Sequence, residues 1–533
     1  MSEKEPYVLA VDIGTSGVKT AIVSLNNGII GWEFQKTRLI ILDRGGAEQD
    51  PLEWWEAFIT TSRRLVKRFP SQAEKLALIS CTTQWSGTVP VDREGNPLMN
   101  AIIWMDSRGA PIVREITRGK INLQGYDIFK LLSWIRSTGG IPGHAGKDSI
   151  AHILYIKEKH PHIYRDVYKF LEPKDYINMK LTGNFFATFD SIALHWITDN
   201  RNIGNVHYKD NLLKFVKIDK EKLPELRRAV DITGKIKKEA AGELGIPEGI
   251  EVIGGTPDVH SACIGSGAVK DYEPHLYIGT SSWISCHVPF KKTDLLHNMA
   301  TLPSAIPDRY ILADEQETAG ACLDFIYDIL LSGNDSNKKA SPGENKYEIL
   351  EALAQRAEAG SGGVIFTPWL FGERTPVENS NLRSCFYNVS LNTTREQFVR
   401  AVYEGVAFNT KWLLYYVEKF VKKKFAHLNI IGGGAYSDFW CQLFADILGC
   451  TIRQIEQPGL ANLRGAAFLG FIARRVIAAD RIHEYVPVKN IFTPNQEKEK
   501  LYKEMFKTFL DIYRRNRKIF NRINIKSFTG GVN

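Results

Sequence analysis

The chain has 533 residues, of which 44% are apolar and 24% charged, and a net charge of +8 from 68 basic against 60 acidic side chains. It is too long for a single hydrophobic core and reads as two globular domains of roughly 250 residues each. Its charge excess is too small and too dispersed to indicate nucleic acid, and the seven cysteines, with no C-x-x-C pair, suit reduced thiols better than a disulfide framework.

In chain order, apolar alternation predicts strands over 7–13, 18–25 and 29–33, a meander whose last turn is Asn27-Gly28. A helix follows, with Asp50 as N-cap, Pro51 at the first helical position and Glu53 placed to close a capping box. Trp54, Trp55, Phe58 and Leu65 form its apolar face. A buried strand over 76–83 and a turn over 92–96 complete an α/β unit with a mixed sheet. The turn-rich stretch 244–249 ends the first half, and the pattern of strand, hairpin and helix restarts at 251. The polar stretch 332–339 reads as a surface loop. Over 496–523, Leu501, Met505, Phe509 and Tyr513 recur at every fourth position among Lys and Arg, an amphipathic helix docked on the body. The expected division is 1–248, 249–485 and a helical extension 486–533. Nothing reads as a leader or bilayer-length apolar run, so a cytoplasmic protein is expected.

One element occurs twice, about half the chain apart. Each of the segments ending in Gly14-Thr15-Ser16 and Gly279-Thr280-Ser281 is an apolar strand that closes in Gly and hydroxyl residues before a second strand. Gly lets backbone N–H groups approach an anion, and the hydroxyls add donors. One such tip is only a tight hairpin; two facing one cleft would cradle a polyphosphate, with Asp12 as a ligand of a metal-bound water. Gly254-Gly255-Thr256-Pro257-Asp258 places a carboxylate after a Gly-rich strand end. Taken alone, Asp258 reads as a helix N-cap; in a cleft, it could accept a proton from a bound hydroxyl.

Two further segments complete a recognisable set. Thr367-Pro368-Trp369-Leu370-Phe371-Gly372-Glu373-Arg374-Thr375-Pro376 and Ile430-Ile431-Gly432-Gly433-Gly434-Ala435-Tyr436-Ser437-Asp438 follow the hairpins in order. The second is no dinucleotide loop, because G-x-G-x-x-G is not met. Together these motifs resemble the FGGY family of carbohydrate kinases over nearly the whole chain, and the Gly-Glu-Arg-Thr-Pro core is most similar to xylulokinases. The resemblance implies two ribonuclease-H-like, actin-like α/β domains with a cleft between them, binding ATP with Mg²⁺. It makes Asp258 the general base and Asp12 the metal ligand, and it assigns phosphates to Gly14, Thr15, Ser16, Lys19, Gly279 and Thr280. Gly320, Gly433, Gly434, Ala435 and Asp438 fall to the nucleoside, and Gln84, Trp85, Ser86, Trp104, Asp106, Asp258 and Trp283 to the sugar.

The stretch Thr83-Gln84-Trp85-Ser86 departs from the family, where xylulokinases carry Met-His and glycerol kinases Arg-Glu. For Trp85, Trp104 and Trp283 core packing is the competing reading. The implied reaction is ATP-dependent phosphorylation of a primary hydroxyl of a ketopentose such as xylulose. A glycerol, gluconate or other polyol kinase is the alternative, and an actin-like nucleotide switch is the rival from another class. Segment 124–164 is expected at the cleft mouth, where it would help to choose the sugar. The implied partner is a small sugar or polyol, with no nucleic acid, no membrane, and a homodimer left open.

Overall fold

A computed structural model describes residues 6–330 and 345–524; the expected loop 332–339 lies outside the described residues. The meander forms as β1 (Tyr7–Gly14), β2 (Gly17–Ser24) and β3 (Gly28–Lys36), antiparallel neighbours throughout. Helix α1 (Pro51–Arg68) starts on Asp50, whose carboxylate accepts from the Leu52 N–H, and buries Trp54, Phe58 and Leu65 against the sheet. Glu53 closes no capping box. Its carboxylate instead accepts from the backbone N–H and the guanidinium of Arg38, which crosses the helix start.

Strand β4 (Leu76–Thr83) runs parallel to β1. After helix α2 (Ile128–Thr138), strands β5 (Ile232–Lys235) and β6 (Glu251–Ile253) finish the first sheet, in the order β5-β6-β4-β1-β2-β3, with Thr256–Pro257 also pairing with β4. Because β6 pairs in parallel with β4, the boundary expected at 248/249 falls inside this sheet. Val252 and Ile253 are completely buried there, a tertiary fact that a turn-rich neighbourhood does not report.

Helix α3 (Asp258–Gly265) leads to β7 (Pro274–Ile278), β8 (Ser282–Val288), β9 (Met299–Pro303), β10 (Tyr310–Gln316) and helix α4 (Gly320–Leu330). Then come α5 (Arg395–Val421), β11 (His427–Ile431), α6 (Asp438–Leu448), β12 (Thr451–Ile455), α7 (Ala461–Ala473), β13 (Val488–Phe492) and α8 (Gln496–Asn524). The second sheet runs β9-β10-β8-β7-β11-β12-β13. In both sheets a strand with an antiparallel hairpin partner is followed outward by two parallel strands: β1, β4, β6 in one and β7, β11, β12 in the other. This is the repeated α/β architecture the paired hairpins imply.

The region after 486 is not purely helical, since β13 adds an antiparallel edge to the second sheet. Helix α8 docks as expected, burying Tyr502, Met505, Phe509 and Phe520, while Leu501 lies at the exposed edge of the stripe. All seven cysteines are free. Among the described residues no helix is long and apolar enough to cross a membrane.

The halves are joined by an exchanged helix. Although α7 comes from the second half of the chain, it lies on the first sheet, where a Cβ on Gly470 would sit 3.2 Å from a Val8 methyl and 3.4 Å from a Leu78 methyl. It also crosses α3 at backbone contact: a Cβ on Gly265 would come within 1.8 Å of the Ala461 carbonyl oxygen, and one on Gly465 within 1.9 Å of the Ser261 carbonyl oxygen. Val8, Ala10 and Leu78 of the sheet share one buried cluster with Ala262, Leu463 and Ala466. Gly465→Ala must therefore push the helices apart or lose the crossing. It should destabilise the protein by about 1–3 kcal/mol or more, read as a lower urea midpoint, whereas Gly242→Ala, on an open helix surface, should not.

Candidate active site

The bend before α3 is held from below. The Gly254 carbonyl accepts from Lys174 Nζ (2.9 Å) and Asn178 Nδ2 (2.7 Å), and the Thr256 hydroxyl donates to Asp190. Gly255 has φ +70°, and a Cβ there would lie 2.2 Å from the Cys81 carbonyl oxygen, so only Gly lets the chain pass this close to β4. The N-cap of α3 is Pro257 and not Asp258; Asp258 stands in the first turn, its Oδ1 accepting from the Val259 N–H at 2.9 Å. Burial, and after it the charge of Asp12, raise the Asp258 carboxyl to about 7, with Glu315 adding to the effect. Carboxylates from β1, from the first turn of α3 and from β10 thus act on one another across the two halves.

At the first tip, Asp12 on β1 is buried and faces Lys19, its register partner on β2, at 3.5 Å. Ser16 is exposed at the tip. Thr15 is not a free donor: its hydroxyl donates to Gln84 Oε1 (3.0 Å) and accepts from Trp104 Nε1 (3.0 Å). Gln49 closes the network, donating to the Thr15 carbonyl and accepting from Gln84 Nε2.

At the second tip, Gly279 lies over the Tyr277 ring and Thr280 is exposed. The start of α4 clasps this tip: Gly320 N–H donates to the Gly279 carbonyl (2.8 Å), and the Ala319 and Ala321 N–H groups to the Thr280 carbonyl. A Cβ on Gly320 would lie 2.6 Å from that Gly279 oxygen, so the close approach needs glycine.

The Gly-rich turn after β11 rests on the same hairpin. A Cβ on Gly432 would meet the Ile278 carbonyl oxygen and one on Gly434 the Ile278 side chain, whereas Gly433 is exposed with nothing within 4 Å. Ala435 is fully buried and its carbonyl accepts from Gln454. Asp438, at the start of α6, is engaged by Gln454 (2.7 Å) and Lys489 (3.1 Å); partial burial works against it, but these bonds hold its carboxyl below the usual range.

The expected sugar contacts are mostly spent on the protein. Asp106 is 1% exposed and accepts from the Ala47 N–H and from Arg108, which also pairs with Glu48. Trp85 donates to the Ser191 carbonyl and meets His260 edge to face. Ser86 donates to the Lys147 carbonyl. Trp283 stacks on Tyr277 at 3.7 Å and donates to His275. Gln84 and Trp104 brace Thr15. What these side chains can still offer a ligand is the partly exposed indole faces of Trp85, Trp104 and Trp283.

Several residues of the site were given no role by the sequence. Glu373 is buried and raised to about 7 by that burial; it accepts from Asn409, Arg374 N–H and Glu317 N–H. Arg374 pairs with Glu315 and Glu317 at the end of β10. The signature segment thus ties the strand beside the second tip, and its Glu-Arg pair was visible in sequence though without a partner. The field of Arg374 reaches Asp148 and that of Lys147 reaches Glu317, so segment 124–164 does face the second half. Lys174, Asn178 and Asp190, which hold the bend, were not legible at all. Among the described residues no group of three His, Cys, Asp or Glu side chains forms a metal cage.

Comparison with known proteins agrees with this geometry. The N-terminal domain of the FGGY family of carbohydrate kinases matches residues 7–265 and its C-terminal domain residues 276–474. A xylulose kinase of Staphylococcus epidermidis is 27% identical, covering 96% of this chain and 97% of that protein, and a gluconokinase of Bacillus subtilis is 26% identical, covering 95% and 96%. A ligand-bound xylulose kinase from Lactobacillus acidophilus superposes with a TM-score of 0.85 at 24% identity over 97% of this chain and all of that one, and a Plasmodium falciparum glycerol kinase with 0.79 at 20% identity over 95% and 98%. With both domain matches falling on the two sheets and their hairpin tips, the chain belongs to the FGGY family of carbohydrate kinases.

Proposed function

We propose that this carbohydrate kinase transfers the γ-phosphoryl group of ATP to a primary hydroxyl of a ketopentose such as xylulose, with Asp258 as general base. The observation that carries this reading is the Asp258 carboxyl, partly exposed beside Asp12 and raised to about 7. A base poised near neutrality can take the hydroxyl proton as that oxygen attacks phosphorus, whereas an ordinary aspartate would be a weaker acceptor.

The backbone N–H at Gly14, the exposed Ser16 and Thr280, and Lys19 are the groups we assign to the phosphates; Gly279, whose N–H donates to the Ser281 carbonyl (2.9 Å), shapes the second tip beside them. Thr15 acts here as a brace for Gln84 and Trp104 through its engaged hydroxyl. The open face of Gly433 leaves room for a flat base, and Gly320 keeps α4 against the second tip. Asp12 and Asp258 are hard oxygen donors that suit Mg²⁺ carried with ATP. When bound, that ion would offset phosphate charge; Asp12 would help to hold it, and Lys19, 3.5 Å from Asp12, offsets part of the carboxylate charge.

A neutral sugar is favoured over gluconate because two cations of the site are already matched: Lys19 by Asp12 and Arg374 by Glu315 and Glu317. Relatives named xylulose kinase support the same choice, and those named gluconokinase or glycerol kinase define the competitors. ADP release with xylulose, gluconate and glycerol in turn tests it; the greatest kcat/KM with gluconate would overturn the substrate assignment.

Two outcomes are expected for Asp258→Asn. Turnover should fall by about two to four orders of magnitude while the affinity for a non-hydrolysable ATP analogue is kept; near-normal turnover would remove Asp258 from the reaction. The second concerns stability without ligand or metal. The folded pKa of about 7 lies above the ordinary 3.8, so the folded state loses stability as pH climbs through that interval. The variant should therefore melt higher than wild type at pH 8, and the difference should vanish toward pH 4. In Gly320→Ala, nucleotide affinity should drop while sugar binding measured without nucleotide is spared.

A further inference from the structure

Away from the site, a cavity of about 160 Å³ opens between the two halves. One wall is the β2–β3 turn, with Ser24, Asn27 and Gly28; the other is formed by Gln457, Arg464 and Tyr485 of the second half. Arg464 is 5% exposed. Its Nη1 donates to the Gly265 carbonyl (3.1 Å) and its Nη2 to the Glu456 carbonyl (2.7 Å). Nη2 also reaches the Gln457 carbonyl (3.5 Å), so these oxygens leave the Nε–H and one Nη1 hydrogen unassigned, and among the described residues no carboxylate pairs with it.

A buried guanidinium is costly when only neutral dipoles meet it. Burial pulls it down to about 10; the field of Glu456, whose exposed residue lies at the rim, opposes this only in part. The residue is also not a simple strut. It bonds Gly265 and precedes Gly465, the two glycines at which α3 and α7 cross, and it lines an open cavity and not a packed core.

We propose that this cavity is a second ligand site, taking a small phosphate-bearing metabolite whose anion accepts from the N–H groups of Arg464 that the carbonyls leave over. The volume suits a phosphate with a short polyol chain and is too small for a nucleotide. Because one wall belongs to each half, an occupant touches both sides of the crossing. Its binding energy therefore differs between relative positions of the halves and is linked to ligand affinity at the cleft.

The test is calorimetric titration of glycerol 3-phosphate, and separately of inorganic phosphate, into protein saturated with a non-hydrolysable ATP analogue and xylulose so that the cleft is occupied. Wild type should retain one binding event. Arg464→Met should weaken it at least tenfold. Asn27→Glu, which adds a negative charge on the opposite, exposed wall and leaves the carbonyl bonds of Arg464 untouched, should weaken it several-fold and so covers the case in which Arg464→Met fails to fold. Tighter binding of glycerol 3-phosphate than of phosphate supports a polyol ester, and equal binding supports free phosphate as the occupant. No event in wild type, or an event unchanged in Asn27→Glu, overturns the site. An analogue affinity that is the same with and without glycerol 3-phosphate overturns the linkage.

Discussion

The crossing of α3 and α7 is the contact on which the rest of the molecule depends. Two glycines, Gly265 and Gly465, remove the side chains that would hold these helices apart, and backbone meets backbone. One helix carries Asp258 in its first turn; the other is a segment of the second half laid across the first sheet. The position of the carboxylate relative to both hairpin tips is therefore set by how closely these helices approach, and any residue larger than glycine would change it.

Around that crossing the site is built by concentrating negative charge. Asp12 on β1, Asp258 in the first turn of α3 and Glu315 on β10 act on one another, and the protein offsets this only partly through Lys19 and Arg374. Burial, with this unmatched charge added to it, raises the Asp258 carboxyl. That arrangement lowers the stability of the ligand-free protein and suits a site meant to hold a cation with its polyphosphate. Beneath it, the buried Lys174–Asp175 pair and Asn178 serve geometry: they anchor the carbonyl of Gly254 and so the direction in which the next residues leave the sheet.

The assignments to the sugar side show how an engaged side chain differs from an available one. Gln84, Ser86, Trp104 and Asp106 have the right chemistry for hydroxyl recognition, yet each points its polar atoms at a protein partner. Thr15 changes role for the same reason, from phosphate donor to the centre of a hydrogen-bonded brace.

Sequence alone determined what depends on local order and composition. The hairpins, the Asp50 cap, the amphipathic final helix and the ordered motifs identified two similar α/β halves and the kinase family, because turn chemistry, periodicity and motif spacing are written within a few residues of one another. It could not place β6 in the first sheet, since a three-residue buried strand has no periodicity to read, nor β13 in the region taken as helical. Nor could it show that Glu53 would turn to Arg38, that Arg374 would clamp Glu315 and Glu317, or that Lys174 would anchor the bend below Asp258. Those pairings join residues tens to hundreds of positions apart. Only the packed chain decides them, because a hydrogen bond or ion pair is selected by which partners burial leaves within reach, and that depends on every element between them.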